Sequence, residues 1–131
     1  MARGDRAHGE IDRDACIHHL AQRCAWDAAV HDGHYRVSTI GMALDDVGFI
    51  HASQPHQVAP VARRFYVGVA DLVLLTIDPA LLDFELRYEP GTNTEELFPH
   101  IYGPLNVSAV IDVTPYAAAA DGTFPDVTHR G

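Results

Sequence analysis

The stretch Asp71-Leu72-Val73-Leu74-Leu75-Thr76-Ile77-Asp78 constrains this chain more than any other. Apart from Thr76 it is apolar throughout, bounded by aspartates, and followed at once by Pro79. A half-buried strand would alternate apolar and polar residues, and a helix would run longer. A short continuous run closed by a proline therefore predicts a central strand covered on both faces. The rest of the chain has to supply that cover. With 131 residues it is long enough for one domain with one core. Hydrophobic residues at 47% and charged residues at 21% suit an ordinary globular protein.

The other elements fall around this strand. Residues 1–14 are polar and without period, and read as a flexible leader. Residues 15–116 form the single globular domain, and 117–131 read as a mobile C-terminal tail. Ala15-Cys16-Ile17-His18-His19-Leu20 is a short β-like run. Residues 22–31 read as a helix with Trp26 on its apolar face, stopped by Gly33. Residues 35–37 are extended, and 45–48 are a turn. Residues 54–66 form the best-defined helix, with Val58, Val61, Ala62 and Phe65 at helical spacing, and Gly68 stops it. Residues 79–82 form a turn or a single helical turn, and 84–89 alternate as a strand. Gly91–Glu95 is an exposed loop. Pro99 interrupts a short strand at 98–101, which places that strand at an edge or beside a bulge. Residues 107–113 form the last strand. About six strands and two main helices, not strictly alternating, predict an α+β fold of small mixed or antiparallel split sheets.

Charge and residue usage exclude several functions. The formal net charge is −9. Nucleic-acid backbones and anionic membranes attract positive surface, so neither DNA nor a membrane is the expected partner. There is no lysine; all nine basic residues are arginine. Schiff-base chemistry and a P-loop are thereby excluded, since each needs a lysine. Cys16 and Cys24 do not form a C-x-x-C pair and are expected as free thiols. Without a signal-peptide pattern or a long apolar run, a cytoplasmic protein is expected.

Nine histidines are many for this length. His8 and His129 lie in the tails. His31, His34 and His56 lie on or beside helix ends. His19, His51 and His100 instead sit within or at the ends of apolar strands. A strand histidine is often satisfied by a backbone carbonyl. Three of them, with Ser53 and Tyr102 close by in sequence, point to a cleft. The stretch Gly48-Phe49-Ile50-His51-Ala52-Ser53-Gln54-Pro55 reads as a strand entering a helix. Ser53 suits the N-cap, and Pro55 the first turn. Free N–H groups at such a junction favour an anionic or sugar-like ligand. The second stretch, Glu96-Leu97-Phe98-Pro99-His100-Ile101-Tyr102-Gly103-Pro104, is expected to face the same cleft. Glu89 and Glu96 are the nearest carboxylates, and Glu89 is expected to pair with Arg87 or Arg64. A metal centre built from His19, His51 and His100 would need three separate elements, since no H-x-x-x-H or H-E-x-x-H spacing links them. Ser53 lies in no G-x-S-x-G elbow, which argues against a serine hydrolase.

In order, Ile17-His18-His19-Leu20, Trp26-Asp27-Ala28-Ala29, Gly48-Phe49-Ile50-His51-Ala52-Ser53, Arg64-Phe65-Tyr66, Asp71-Leu72-Val73-Leu74-Leu75, Leu86-Arg87-Tyr88-Glu89 and Leu97-Phe98-Pro99-His100-Ile101-Tyr102-Gly103-Pro104-Leu105 resemble the bacterial domain-of-unknown-function family 952. The resemblance spans residues 15–115. Position 18 is usually tyrosine in that family, so His18 departs from it. The resemblance implies an ADP-ribosyltransferase-like fold, shared with RNA 2′-phosphotransferases, and NAD or a related nucleotide as substrate rather than as a firm cofactor. It further implies that His19 holds ribose hydroxyls and that Ser53, beside His51, takes the middle position. The third position falls on Glu96 or on His100.

These residues define the expected site. His51, Glu96 and His100 are its catalytic candidates, and His19, Ser53, Arg64, Arg87, Glu89 and Tyr102 its ligand-binding candidates. Three functions compete. The first is an ADP-ribosyl or phosphotransferase-like enzyme, marked by a glutamate in the cleft. The second is a non-catalytic module that binds a nucleotide or other small ligand. The third is a metal-dependent hydrolase using the three histidines.

Overall fold

The computed structural model describes residues 15–91 and 93–127. The expected leader, Thr92 of the exposed loop, the last four tail residues, His8 and His129 lie outside the described residues.

The apolar run forms the middle strand of a three-stranded antiparallel sheet. In chain order the strands of this sheet are β1 (Ile17–Gln22), β6 (Leu72–Ile77) and β10 (Val110–Tyr116), with β6 between the other two. All six residues of β6 are buried. On one face Val73, Leu75 and Ile77 join Ile17, Trp26, Ile50 and Ile101. On the other, Leu72 and Leu74 join Leu20, Val58, Ala62 and Tyr116. Both faces are covered, so no position in the run can be polar and exposed. Each large aliphatic side chain buried this way stabilises the fold by about 1.5–3 kcal/mol.

A second antiparallel sheet holds β5 (Ile50–His51), β7 (Leu86–Pro90) and β8 (Leu97–Ile101), in the order β5-β8-β7. Two smaller pairs complete the β structure. They are β2 (His34–Tyr35) with β9 (Leu105–Asn106), and β3 (Val37–Thr39) with β4 (Met42–Ala43). The helices are α1 (Arg23–Asp32), α2 (Leu44–Val47) and α3 (Val58–Phe65). The fold is α+β, with several small antiparallel sheets and few helices. Among the described residues no helix is long and apolar enough to cross a membrane.

Helix α1 ends as expected. Gly33 takes φ 98 and its N–H donates to the Ala29 carbonyl, a left-handed stop that favours glycine. Cys16 is buried and Cys24 is exposed, and neither is in a disulfide.

Four local expectations are corrected. The expected turn at 45–48 is the short helix α2 ending at Gly48, which takes φ 98. Ser53 is not a helix cap. Its N–H and C=O pair with His18 at 2.8 and 2.7 Å, which stitches the second sheet to β1. Gln54 caps a 3-10 turn over Pro55–Gln57 that leads into α3. The strand expected at 107–113 begins later, because 107–109 form a 3-10 turn and β10 runs to Tyr116.

The fourth correction is that the proline-bearing strand β8 is central, not at an edge. The register pairs Ile50 with Ile101 and His51 with His100, so Ala52 falls opposite Pro99. The Ala52 N–H donates to the Pro99 carbonyl at 2.9 Å. The return bond of that pair would need a proline N–H, which does not exist. β5 therefore stops at His51, and the proline falls where its neighbour has ended. The segment expected as a mobile tail folds back in part. Phe124 is buried against Tyr116 with ring centroids 5.8 Å apart, and the Tyr116 hydroxyl donates to the Pro125 carbonyl.

Candidate functional site

Strand alternation builds the site on one face of the second sheet. Ile50, Leu86 and Ile101 point from that sheet into the core. Side chains one residue away point to the opposite face. That face carries His51 beside His100, Arg87 beside His100, and Glu89 beside Phe98. Phe49 stacks on His100 with centroids 4.0 Å apart and an interplanar angle of 16°. His51 lies 4.9 Å from the Phe98 ring and 5.4 Å from His100.

A cavity of about 450 Å³ opens beside this face, between it, α3 and the β3–β4 hairpin. That volume lies in the range of small-molecule sites, about 300–1,000 Å³. Its walls are mainly apolar, with Phe49, Phe65, Phe98, Met42 and Val61 among them. His51, Arg64 and Glu96 are its ionisable groups.

Each of these has a defined setting. Burial lowers the His51 imidazole to about 4, helped by the neighbouring His100 and by the Arg64 charge. His51 is thus neutral at neutral pH and able to accept or donate a hydrogen bond. The Arg64 guanidinium rides over its neighbour Phe65 at 5.1 Å. Gln57 holds Glu96. The Gln57 Nε2 donates to Glu96 Oε2 at 2.8 Å and to the Leu97 carbonyl at 2.8 Å. The Gln57 Oε1 accepts from the Gln54 N–H at 2.9 Å. The buried Gln57 therefore fixes both the start of α3 and the carboxylate at the cavity wall. Glu96 also stands 3.8 Å from His56.

The remaining candidates fall into two neighbouring groups. His19 and Ser53 line a void of about 10 Å³ behind the cavity, shared with His51, Thr39 and Tyr66. His19 is buried, and its Nδ1 lies 2.8 Å from the His51 carbonyl. Burial is the main cause that lowers it to about 4, so it too is neutral at neutral pH. The third group is His100, Glu89 and Tyr102. His100 Nδ1 is 2.8 Å from Glu89 Oε1, and the Tyr102 hydroxyl donates to the same oxygen at 2.6 Å. The Tyr102 donor first, and then His100, hold the Glu89 carboxyl below the usual carboxylate range. Arg87 sits over the Tyr102 ring at 4.6 Å and forms two hydrogen bonds to Glu85.

The expected pairing of Glu89 with Arg87 or Arg64 is thus corrected. Arg87 takes Glu85, its other i±2 neighbour on the same strand face, and Glu89 takes the buried histidine. The structure brings His51, Arg64 and Glu96 to the open cavity. It sets His19 and Ser53 behind His51, and puts His100 and Tyr102 against Phe49, with Glu89 bonded to both. Among the described residues no three His, Cys, Asp or Glu side chains stand together as a metal site.

Sequence reasoning missed Gln57, Phe49 and Phe98 as parts of the site. Gln57 lies three residues after Gln54 and before an apolar helical run, and that spacing is a visible signal of reciprocal capping. Phe49 shares its strand face with His51 by alternation.

Residues 20–113 match the family model described as "Protein of unknown function (DUF952)". The crystal structure of protein CC0527 from Caulobacter crescentus is similar at 34% identity and a TM-score of 0.72, over 84% of this chain and 93% of that one. The solution NMR structure of CC0527 is similar at 33% identity and a TM-score of 0.69, over 83% and 90%. Comparison with curated proteins finds no match. With the family model covering most of the chain, this protein belongs to the DUF952 family.

Proposed function

We propose that this protein binds a small ligand of about nucleoside size in the cavity beside His51. The observation that carries this reading is the composition of the walls. Phe49, Phe65 and Phe98 offer flat apolar surface, while His51, Arg64 and Glu96 supply an acceptor or donor, a cation and a carboxylate. Apolar walls with a few placed polar groups are what a ligand site needs. Aromatic walls favour a planar ring, Arg64 favours an anionic group such as a phosphate, and Glu96 favours a sugar hydroxyl. Nucleotides and NAD-like molecules combine these three features.

A thermal-shift screen against NAD, ADP-ribose, nucleotides and phosphorylated sugars tests this, because a ligand that prefers the native state raises the melting temperature. A member of this set is expected to stabilise the wild type, and to lose that effect in Arg64→Ala. No shift with any of them at millimolar concentration would remove the reading.

A second reading, transfer of an ADP-ribosyl group from NAD, is favoured by one observation. Glu96 presents a carboxylate at the cavity wall, held there by Gln57. Cleavage of a nicotinamide–ribose bond develops positive charge on the sugar, and a carboxylate stabilises such charge. The ADP-ribosyltransferase-like resemblance places His19 and Ser53 at that centre, whereas here they lie behind His51. Binding therefore ranks ahead of transfer. Under the transfer reading, NAD consumption by the wild type is abolished in Glu96→Gln, and retained turnover would sink it. The metal-hydrolase alternative needs three imidazoles meeting at one point, and His100 does not line the void that His19 and His51 share.

A further inference from the structure

The second sheet has an open edge. In the order β5-β8-β7, nothing pairs with the outer side of β7 among the described residues. The direction of its backbone groups follows from its neighbour. The Pro99 carbonyl accepts from Ala52, so the Pro99 backbone is aimed at β5 and away from Tyr88, its partner on β7. At the two ends of β7, the Glu85 carbonyl accepts from Tyr102 at 2.8 Å and the Gly91 N–H donates to Glu96 at 3.1 Å, both inward. Backbone groups alternate sides along an antiparallel strand. Arg87 and Glu89 therefore bond to β8, while Leu86, Tyr88 and Pro90 present their groups at the open edge. Among the described residues none of these edge groups has a partner.

Side chains divide the same way. On the face that leads into the core, Leu86 stands beside Ile101, Tyr88 beside Pro99, and Pro90 beside Leu97. Leu86 packs on the core and Ile101 is buried, yet Tyr88 is 46% and Leu97 48% exposed. The apolar layer thus runs past the cover that the domain itself supplies. On the other face stand Arg87 and Glu89, on either side of Tyr88. The bonds of Glu89 to His100 and Tyr102 both use Oε1, so neither occupies Oε2.

An open edge is a template for another strand. The formal net charge of −9 opposes the approach of a second copy of this chain, so local charge selects the register. Centring a two-fold antiparallel pair of β7 strands on Arg87 sets arginine opposite arginine. Centring it on Glu89 sets glutamate opposite glutamate, and both arrangements repel. A centre on Leu86 runs into the bend at 83–84, and one on Pro90 has no N–H to exchange. A centre on Tyr88 sets Arg87 of each copy opposite Glu89 of the other. It also fits the backbone. The two Tyr88 residues exchange N–H and C=O bonds, and each Leu86 N–H donates to the Pro90 carbonyl of the other copy. The missing proline N–H then costs only the bond at the end of the strand.

We propose that β7 is the interface of a symmetric dimer, in which it pairs antiparallel with β7 of a second copy about Tyr88 and joins two three-stranded sheets into one. Arg87, Tyr88 and Glu89 do not line the cavity, so this dimer stands or falls independently of any ligand there.

Sedimentation equilibrium of the full chain tests it. The wild type is expected to dimerise with rising concentration. Arg87→Glu puts glutamates opposite each other at both symmetric positions, and is expected to weaken the dimer at least about tenfold. Tyr88→Pro removes the central N–H, which β8 does not use, and is expected to abolish the dimer while the circular dichroism stays that of the wild type. An equimolar mixture of Arg87→Glu and Glu89→Arg restores opposite charges at both positions, and is expected to form a heterodimer tighter than either variant alone forms with itself. A wild type that stays monomeric up to about 1 mM overturns the proposal, since a weaker contact is no specific interface. So does a dimer undiminished in Arg87→Glu or in folded Tyr88→Pro. No recovery in the mixture of two folded variants overturns the register centred on Tyr88. If Glu89→Arg does not fold, Arg87→Glu and Tyr88→Pro decide alone.

Discussion

Gly103 shows how one residue secures the polar face. A Cβ built there would lie 2.3 Å from Cγ of Phe84, well inside contact distance. The glycine lets the Phe84 ring lie directly on the backbone that follows Tyr102. Tyr102 in turn donates both a backbone bond to Glu85 and a hydroxyl bond to Glu89. Gly103→Ala must push the ring away or bend the chain, and overpacking of this kind costs about 1–3 kcal/mol. Phe84 is 44% exposed, so the ring has room to leave. We therefore expect Gly103→Ala to destabilise the protein in urea unfolding, and to cost much less in a Phe84→Ala background. Equal costs in the two backgrounds would show that the clash is with the backbone and not with the ring.

At the level of elements, Gln57 joins the start of α3 to the start of β8 by three hydrogen bonds. It is buried, so removing its amide leaves the Gln54 N–H and the Leu97 carbonyl without it. At about 0.5–1.5 kcal/mol per bond, with added cost for buried groups left unpaired, Gln57→Ala should lose about 2–4 kcal/mol. Chemical denaturation measures this, and a loss under about 1 kcal/mol would mean that water replaces the amide. The same region marks the limit of what local sequence reveals. Strand β6 was legible because burial on both faces writes a continuous apolar run. Helix α1 was legible because Gly33 suits the left-handed stop. The face shared by His51, Phe98 and His100 follows from alternation once the strands are paired. The pairing itself was not legible. Ser53 reads locally as a cap, and its backbone bonds to His18 depend on a strand more than 30 residues away. Pro99 reads locally as an edge residue, but its missing N–H is harmless because β5 ends opposite it. Phe124 looks like part of a loose tail until Tyr116 is in place to receive it.

Across the whole molecule, the buried histidines set how the fold responds to acid. Burial holds His19 and His51 each at about 4, against an ordinary value of 6.5. Between those values the unfolded chain takes up protons that the folded chain refuses. The unfolded state then binds more protons, so stability rises with pH across this window. The contribution is fully present above about pH 6.5 and is lost as pH falls toward 4. Each pKa unit corresponds to about 1.4 kcal/mol, so the two sites together remove a few kcal/mol, a large part of a typical total stability of about 5–15 kcal/mol. The lowered Glu89 carboxyl acts in the same direction but at lower pH, below its ordinary value of 4.5. The two contributions therefore separate along the pH axis. We expect urea midpoints to be flat from pH 8 to 7, to fall steadily from 6.5 to 4.5, and to fall again below that. His51→Gln, which keeps a polar side chain without a titrating ring, should flatten the upper part of the decline and leave the lower part in place. A decline that starts only below pH 5 in the wild type would mean that these imidazoles titrate alike in the folded and unfolded chains, and that the histidine-bearing face is wet rather than buried.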